Sequence, residues 1–568
     1  MFDKAALYWR TLRHLKPVQF YGRVWFKLYQ PRVEALVRHA QVRLPSGAWQ
    51  IPSVRSVSML DATTFRFLNQ VHTLPAHGGW NDAALEKLWL YNLHYFDDLN
   101  AQDAPARLDW HRALIARWIS ENPPASGNGW EPYPTSLRIV NWVKWLAAGN
   151  VPPPGMVNSL VQQSCWLIGR LERHLLGNHL FANAKALVFA GMYFEGPQAA
   201  AWLAKGLKII EEQLPEQVLA DGGNFERSPM YHAIFLEDVL DLINAAYYWP
   251  GLVPDEQVTV WRETASRMLS WLASMMHPDG EIALFNDAAL GVAPKGGELT
   301  SYAGRVGVMS PKLDREIYRA DFSPLLSTKV ELENFQKIPE LLHFADSGYV
   351  RLQNKDAAAF LDVAPIGPDY LPGHAHADTL SFELSLFGQR VIVNGGTSRY
   401  GLGPERLRER GTAAHSTVQV AAADSSEVWG SFRVARRAYP FDLELQPEIG
   451  RVACSHDGYR RLPGEPVHRR AWQLDPHRLQ VTDTVKGGTH SAVARYFFHP
   501  AVQVTNAEGG LWHLTLAGGQ SFQVLVLHGQ GSLEPASYAP EFGIQLPTQA
   551  LVVELIEGSA EVEVSWAT

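Results

Sequence analysis

Two imidazoles and a carboxylate stand within five residues in Gly373-His374-Ala375-His376-Ala377-Asp378. Imidazole titrates nearest neutrality, so such a cluster suits proton transfer or metal ligation. If the segment is extended, His374, His376 and Asp378 share one face at i, i+2, i+4. Downstream, Phe382, Leu384 and Leu386 alternate with Ser381, Glu383 and Ser385, the period of a half-buried strand. The plainer alternative is three polar groups on the wet side of that strand. Buried without partners they would be costly, which favours a functional cluster.

Further constellations lie elsewhere. Asn178 and His179 stand at an expected helix start, with Asn178 as its cap and His179 and Asn183 on one face at i, i+4. Polar groups there can hold a carboxylate, or they are a cap and a surface histidine. The run from Asp221 to His232 places a Gly222-Gly223 turn before a helix expected from about 231. Tyr231 is a candidate proton donor or acceptor if a neighbouring cation lowers its pKa; otherwise it is a helix-face aromatic. Glu226 reads as a salt link to Arg227 or as a group facing a ligand. His376, Asn394 and His415 form a candidate His/Asn/His set for zinc or manganese, with the Asn oxygen as the weak donor, or else a hydrogen-bonded core network. Arg399, Arg406, Arg408 and Arg410, then Arg433, Arg436 and Arg437, make a basic run that faces an acidic polymer or simply solvent. Arg138 sits on an otherwise apolar helix, which predicts an anionic partner, either a core carboxylate or a substrate carboxylate.

Positioning these groups requires more than one domain, as 568 residues also imply. Residues 1–80 read as an arm with helical patches near 3–15 and 18–38. From 81 to 330 helical periodicity recurs, as in Ile139, Trp142, Val143 and Leu146. Further helices are expected at 84–99, 109–121, 157–176, 179–194, 198–213 and 256–276. Stacked helical hairpins of this kind close into an α/α toroid or stay open as a solenoid. From 335 to 568 strands dominate, among them 343–352, 357–363, 390–394, 417–420, 477–485, 512–516, 522–526 and 560–566. They read as an antiparallel β-sandwich. The fold class is therefore α+β and multidomain, with a boundary near 326–340 and a site where the two domains meet.

Composition narrows the chemistry. Net charge is −8, against wholesale nucleic-acid binding, and 19 Trp, 19 Tyr and 24 Phe hint at surfaces for sugar rings. Cys165 and Cys454 imply neither a disulfide framework nor a Cys-rich metal site. No run approaches the ~18 apolar residues of a spanning helix, and the first residues lack the apolar core of a signal peptide. A cytoplasmic protein is the direct expectation, with periplasmic or secreted placement by another route left open. Basic and aromatic residues between Trp9 and Lys27 offer a membrane-surface alternative. No Walker loop or dinucleotide-binding glycine turn is found, so no organic cofactor is expected.

Taken together, Asn178-His179, Gly222-Gly223 with Glu226 and Tyr231, His374-Ala-His376-Ala-Asp378 with Glu383, and Ala414-His415-Ser-Thr417 resemble the heparinase II/III family of polysaccharide lyases and its glycosaminoglycan and alginate lyase relatives. The opening segment Tyr8 to Pro17 is similar to members found beside polysaccharide-assembly genes. The resemblance covers about 80 to 440, more loosely to the end. It implies an α/α toroid followed by a β-sandwich. It also implies β-elimination at a glycosidic bond next to a uronic acid in an acidic polysaccharide such as heparin, heparan sulfate, hyaluronan, chondroitin sulfate or alginate. Under it, Asn178 and His179 would neutralise the uronate carboxylate and Tyr231 would act as base, acid or both. His374 would be a second base chosen by the C5 epimer, and His376, Asn394 and His415 would hold a structural metal. Relatives often carry Asp where this chain has Asn394. Arg138, Asn183, Glu226 and Arg410 are the candidate substrate-binding residues. Two other functions compete: a glycoside hydrolase, which needs paired carboxylates such as Glu226 with Asp221 or Asp287, and a non-catalytic polysaccharide-binding or assembly protein.

Overall fold

The computed structural model describes residues 2–31, 41–309 and 340–567. The expected domain boundary, and residues 32–38 of the second helical patch, lie outside them. The N-terminal part carries helices α1 (Phe2–Leu12), α2 (Pro17–Leu28), α3 (Lys87–Tyr95), α4 (Leu108–Glu121), α5 (Pro132–Ala147), α6 (Met156–Ile168), α7 (Gly177–Tyr193), α8 (Pro197–Gln217), α9 (Pro229–Tyr248), α10 (Asp255–Ser274) and α11 (Gly296–Arg305). Helices α5, α7 and α9 are apolar and buried nearly all round, as inner helices must be. By contrast α6, α8 and α10 bury one stripe and leave the other wet. Inner helix α5 packs on α7 and α7 on α9, while α8 backs α7 and α10 backs α9. This two-layered ring is the α/α toroid. Small residues set its spacing: a Cβ on Gly191 would sit 2.6 Å from Leu203 N, and one on Gly206 would sit 2.7 Å from Ala184 O.

The C-terminal part is two antiparallel sheets of eight and nine strands packed face to face. The eight-stranded sheet runs from Pro440–Gln446 through Val467–Asp475 and Ser559–Trp566 to Gln503–Glu508. The nine-stranded sheet runs from Gln530–Tyr538 through Ala492–Phe498, Gln389–Val393, Phe382–Leu386 and Ala357–Asp362 to Glu340–Phe344. Their core joins Leu352, Phe382 and Val553 of one sheet to Trp472, Val481 and Val562 of the other. The outer face of the nine-stranded sheet meets the toroid, where Phe344, Tyr349 and Phe360 pack on Trp271 and Met275. Residues 41–80 and helices α1 and α2 strap both domains. Arg10 reaches Glu427 at 3.0 Å, Gln19 Nε2 donates to Tyr370 O at 3.0 Å, and Arg55 pairs with Glu237.

Two local expectations are corrected. The single strand expected over 343–352 is two, Glu340–Phe344 and Tyr349–Gln353, joined by a turn that needs Gly348 at φ +79°. Residues 374–378 are not extended; the strand begins at Phe382, after a turn in which Ser381 N donates to Asp378 O at 2.8 Å.

Filling the α7–α8 contact tests the packing. Gly191→Ala is expected to cost about 1–3 kcal/mol, because backbone and not a flexible side chain must yield. Urea denaturation at constant m-value measures it.

Candidate active site

A cleft of about 1010 Å³ opens between toroid and sandwich, walled by α1, α2, the starts of α7 and α9, and the loops around 374, 400 and 432. Asn178, His179, Glu226, Tyr231 and His374 all line it. Residues nearly two hundred apart in sequence are thus brought together.

The carboxylate of Asp287 holds the site in place. It lies wholly buried on a loop at the toroid's exit. Oδ2 accepts from His374 Nδ1 at 2.9 Å and Oδ1 from His376 Nε2 at 2.7 Å. The Arg406 guanidinium clamps both oxygens, at 2.7 Å on Oδ2. Burial works to raise the Asp287 pKa, but Arg406 and the two imidazoles hold it well below the ordinary carboxylate range. An ionised Asp287 accepts only, so it fixes the proton on His374 Nδ1 and leaves the lone pair on Nε2 at the cleft. The chains pair as well: Asp287 N donates to His374 O at 2.9 Å, and His376 N donates to Asn286 Oδ1 at 3.0 Å.

Tyr231 stands in the first turn of α9, whose cap Ser228 Oγ accepts from Tyr231 N at 3.2 Å. Its ring stacks on His374 with centroids 3.9 Å apart, and its hydroxyl lies 3.0 Å from that of Tyr400. The expected cation beside Tyr231 is not what governs it. Burial, then Tyr400 and Asp287, push the phenol well above its ordinary pKa, so it is neutral and a proton donor.

At the other wall, His179 packs under Tyr133, ring centroids 4.5 Å apart. Its Nδ1 lies 3.2 Å from Glu172 Oε1, an ion-pair contact without hydrogen-bond geometry. Burial is the largest single influence and lowers the imidazole pKa, but Glu172, Glu226 and Glu131 together outweigh it and the net shift is upward. Asn178 lines the cleft but does not cap α7, which starts from Leu176 and Gly177 with no side-chain cap. Glycine at 177 is required, since its φ is +53° and a Cβ would meet Leu371 Cδ2 at 2.6 Å and Glu226 Oε1 at 3.0 Å. Glu226 Oε2 is buried without a partner among the described residues, and burial raises its pKa.

Five further sequence readings change. Arg138 does not meet an anion and does not reach the cleft. It is buried over the Trp118 ring at 3.8 Å, donating to Gln163 Oε1 at 2.9 Å and to His94 O at 3.3 Å. Asn183 is buried behind the wall, where it accepts from Glu172 N at 2.8 Å and donates to Glu172 Oε2 at 3.1 Å; it orients Glu172 and so His179. Arg410 is also buried. It donates to Ala375 O at 2.8 and 3.0 Å and to Ser431 O at 3.0 Å, tying the His374–His376 turn to the loop beneath it. Glu226 makes no link to Arg227, which donates to Ser347 O at 2.9 Å. The basic run is likewise not one polymer-facing patch, because Arg406 and Arg410 are core, Arg399 pairs with Glu86 and Arg437 with Asp369.

Of the candidate metal set, His376 and His415 meet, Nδ1 to Nε2 at 3.3 Å. Two nitrogens on a tetrahedral zinc at about 2.0–2.1 Å stand about 3.3–3.4 Å apart, and Asp287 on the far nitrogen is the outer carboxylate such ligands use. Asn394 Oδ1 accepts from Ser416 N at 3.3 Å, while its Nδ2 and His415 Nδ1 are buried without partners among the described residues. The residues present therefore fit a cation in two donors with an amide alongside. Among the described residues no group of three or more His, Cys, Asp or Glu is arranged to hold a metal.

The polarisation of His179 is measurable. Its imidazole is expected to titrate above 6.5, and below its wild-type value in Glu172→Gln, read by histidine NMR shifts. Because the folded-state pKa is raised, the stabilisation from the charged pair is complete below pH 6.5 and is lost as pH climbs through the folded value.

Residues 113–295 match the Heparinase II/III N-terminus family and residues 337–567 the Heparinase II/III-like, C-terminal family. A heparin-sulfate lyase of Bacteroides stercoris is 25% identical over 354 residues, 60% of this chain and 48% of that protein. A heparin-sulfate lyase of Pedobacter heparinus is 26% identical over 275 residues, 46% of this chain and 38% of its own length. The chain thus spans less than half the length of these curated relatives. The crystal structure of heparinase III superposes with a TM-score of 0.65 at 16% identity, covering 98% of this chain and 91% of that one, which establishes the shared fold. Matched in both of its domains, the chain belongs to the heparinase II/III family.

Proposed function

We propose that this protein is a polysaccharide lyase that cleaves uronic-acid-containing polymers by β-elimination. The observation that carries the reading is the stacked Tyr231–His374 pair facing Asn178 and His179 across one cleft. Curated relatives named heparin-sulfate lyases support it. A uronate docks its carboxylate against Asn178 and the imidazole of His179, whose pKa is shifted upward, with Glu226, whose pKa burial raises, beside them. These groups stand where charge builds as the C5 proton leaves. His374 Nε2, its tautomer fixed by Asp287, takes that proton. The C4–O4 bond breaks, a C4=C5 double bond forms, and Tyr231 gives its phenolic proton to O4. Tyr400, 3.0 Å away, supplies the hydroxyl through which Tyr231 regains it.

Hydrolysis is the weaker reading. Asp287 is saturated by Arg406 and two imidazoles, and Asp221 by the backbone and hydroxyl of Ser347, which leaves Glu226 without its expected partner. The cleft also bears on the polymer. Of its five Lys and Arg, three are in ion pairs, Lys87 with Glu131, Arg399 with Glu86 and Arg437 with Asp369, and Arg23 and Arg433 have no ion-pair partner among the described residues. Tyr91, Tyr95, Tyr370 and Phe432 offer rings to sugar faces instead. An unsulfated or sparsely sulfated uronate polymer suits this wall better than heparin. A zinc or manganese ion, held by His376, His415 and Asn394, would lock the loop that carries His374 and enter no chemical step.

Ultraviolet absorbance of the conjugated unsaturated uronate tests the reaction on desulfated heparin, heparan sulfate, hyaluronan, chondroitin and alginate. A rising signal is expected, faster on the unsulfated polymers, and Tyr231→Phe should lose about 10²–10⁴-fold with its fold intact. Reducing ends without absorbance would replace this reading with the hydrolase. Metal analysis of purified protein, expected to fall in His415→Ala, tests the ion independently of activity.

A further inference from the structure

Helices α1 and α2 carry a surface that the cleft does not use. Between Lys4 and Tyr29 there are six Lys or Arg and no Asp or Glu, in a chain of net charge −8. On α2 the inward row is Gln19, Gly22 and Phe26. Gln19 bonds to Tyr370 O, and Phe26 stacks on His174 at 4.4 Å under the Arg170 guanidinium. The outward rows are Phe20, Val24 and Leu28 beside Tyr21, Trp25 and Tyr29, each spaced i, i+4 and all exposed. Trp25 is 62% exposed, Tyr21 64% and Leu28 80%, and Trp9 on α1 adds a further indole at 69%. An amphipathic helix normally turns such a stripe inward; here the stripe faces out and the polar groups that flank it are cationic.

We propose that this face docks on an anionic phospholipid bilayer, with α1 and α2 lying in the interface plane. The chemistry fits on both counts. Indole and phenol rings partition to the headgroup level, and Lys and Arg beside them meet lipid phosphates. Lys4, Arg13, Arg23 and Lys27 have no ion-pair partner among the described residues, so their charge is available. No helix among the described residues is long and apolar enough to cross a membrane, so the contact is peripheral. The consequence is positional. Leu12, Leu15, Gln19 and Arg23 of the same helices line the cleft, so docking sets the cleft mouth beside the lipid surface. This inference does not depend on the lyase reading.

Co-sedimentation of the full chain with vesicles tests it. Binding is expected to phosphatidylcholine vesicles holding about 30 mol% phosphatidylglycerol and not to phosphatidylcholine alone, and to weaken in about 0.5 M salt. The double variant W9S/W25S and, separately, K4E/R13E/K27E should each bind at least about tenfold more weakly, with circular dichroism and thermal unfolding unchanged. No binding to anionic vesicles would overturn the proposal, as would binding that both variants retain. Light scattering covers the remaining occupant: a dimer that W9S/W25S dissolves would assign the face to a second copy instead.

Discussion

The site depends on a carboxylate that should not be stable where it is. Asp287 has no access to water, and an unpaired charge there would cost several kcal/mol. It persists because Arg406, His374 and His376 all donate to it, and every one of those donors belongs to the sandwich side of the chain. The toroid supplies the charge and the sandwich supplies the compensation. Neither half is electrostatically complete alone, so the network that positions His374 also joins the domains. Removing one member leaves the others as buried, uncompensated groups, which is why such networks break at about 3–5 kcal/mol.

Everything nearer the cleft inherits its place from that pairing. His374 is aimed by Asp287 and clamped from below by Arg410 through Ala375 O. Tyr231 is aimed by the Ser228 cap, and Ser228 Oγ donates in turn to Asp287 O at 2.6 Å, so His374 and Tyr231 share one anchor. On the far wall the same logic recurs with Asn183, Glu172 and His179. Two anionic supports thus tune two histidines differently. The salt-locked Asp287 fixes a tautomer, while Glu172, less encumbered, favours the imidazolium.

The fold was legible because helical and alternating periods are local properties. The helices at 177–193 and 255–274 and the strand at 559–566 fall close to where the hydrophobic pattern sets them. Strands such as Arg451–His456 and Val467–Asp475 were not read, since His, Arg and Cys on their inward faces break the alternation and are satisfied only by neighbours distant in sequence. Among site residues, those clustered in short motifs could be found. Asp287 could be read only as half of a carboxylate pair, and Glu172 not at all, because a single acid, here between Arg170 and Arg173, carries no spacing signal. Arg138 misled for the reverse reason. A buried guanidinium suggests an anion, yet its fork is met here by an amide oxygen, a carbonyl and an indole face.

A second network in the sandwich shows what the site histidines lack. His468 Nε2 meets Asp483 at 2.8 Å, Arg470 grips both oxygens of that carboxylate, and His456 Nε2 lies 3.2 Å from His468 Nδ1. The cast is that of Asp287, Arg406, His376 and His415. The difference is at the end of the chain, where His456 Nδ1 accepts from Gly458 N at 3.1 Å. Protons then run one way from backbone to carboxylate, every lone pair is used, and the cluster is closed. At the site His415 Nδ1 finds no such donor, and Asn394 Nδ2 finds no acceptor. If His415 donates from Nε2, a buried lone pair is stranded; if it donates from Nδ1, two lone pairs oppose each other at 3.3 Å. Either arrangement carries a penalty that the closed network avoids, and a cation between the facing nitrogens relieves the second. Of these two histidine networks, the unfinished one is therefore the one that shares Asp287 with His374.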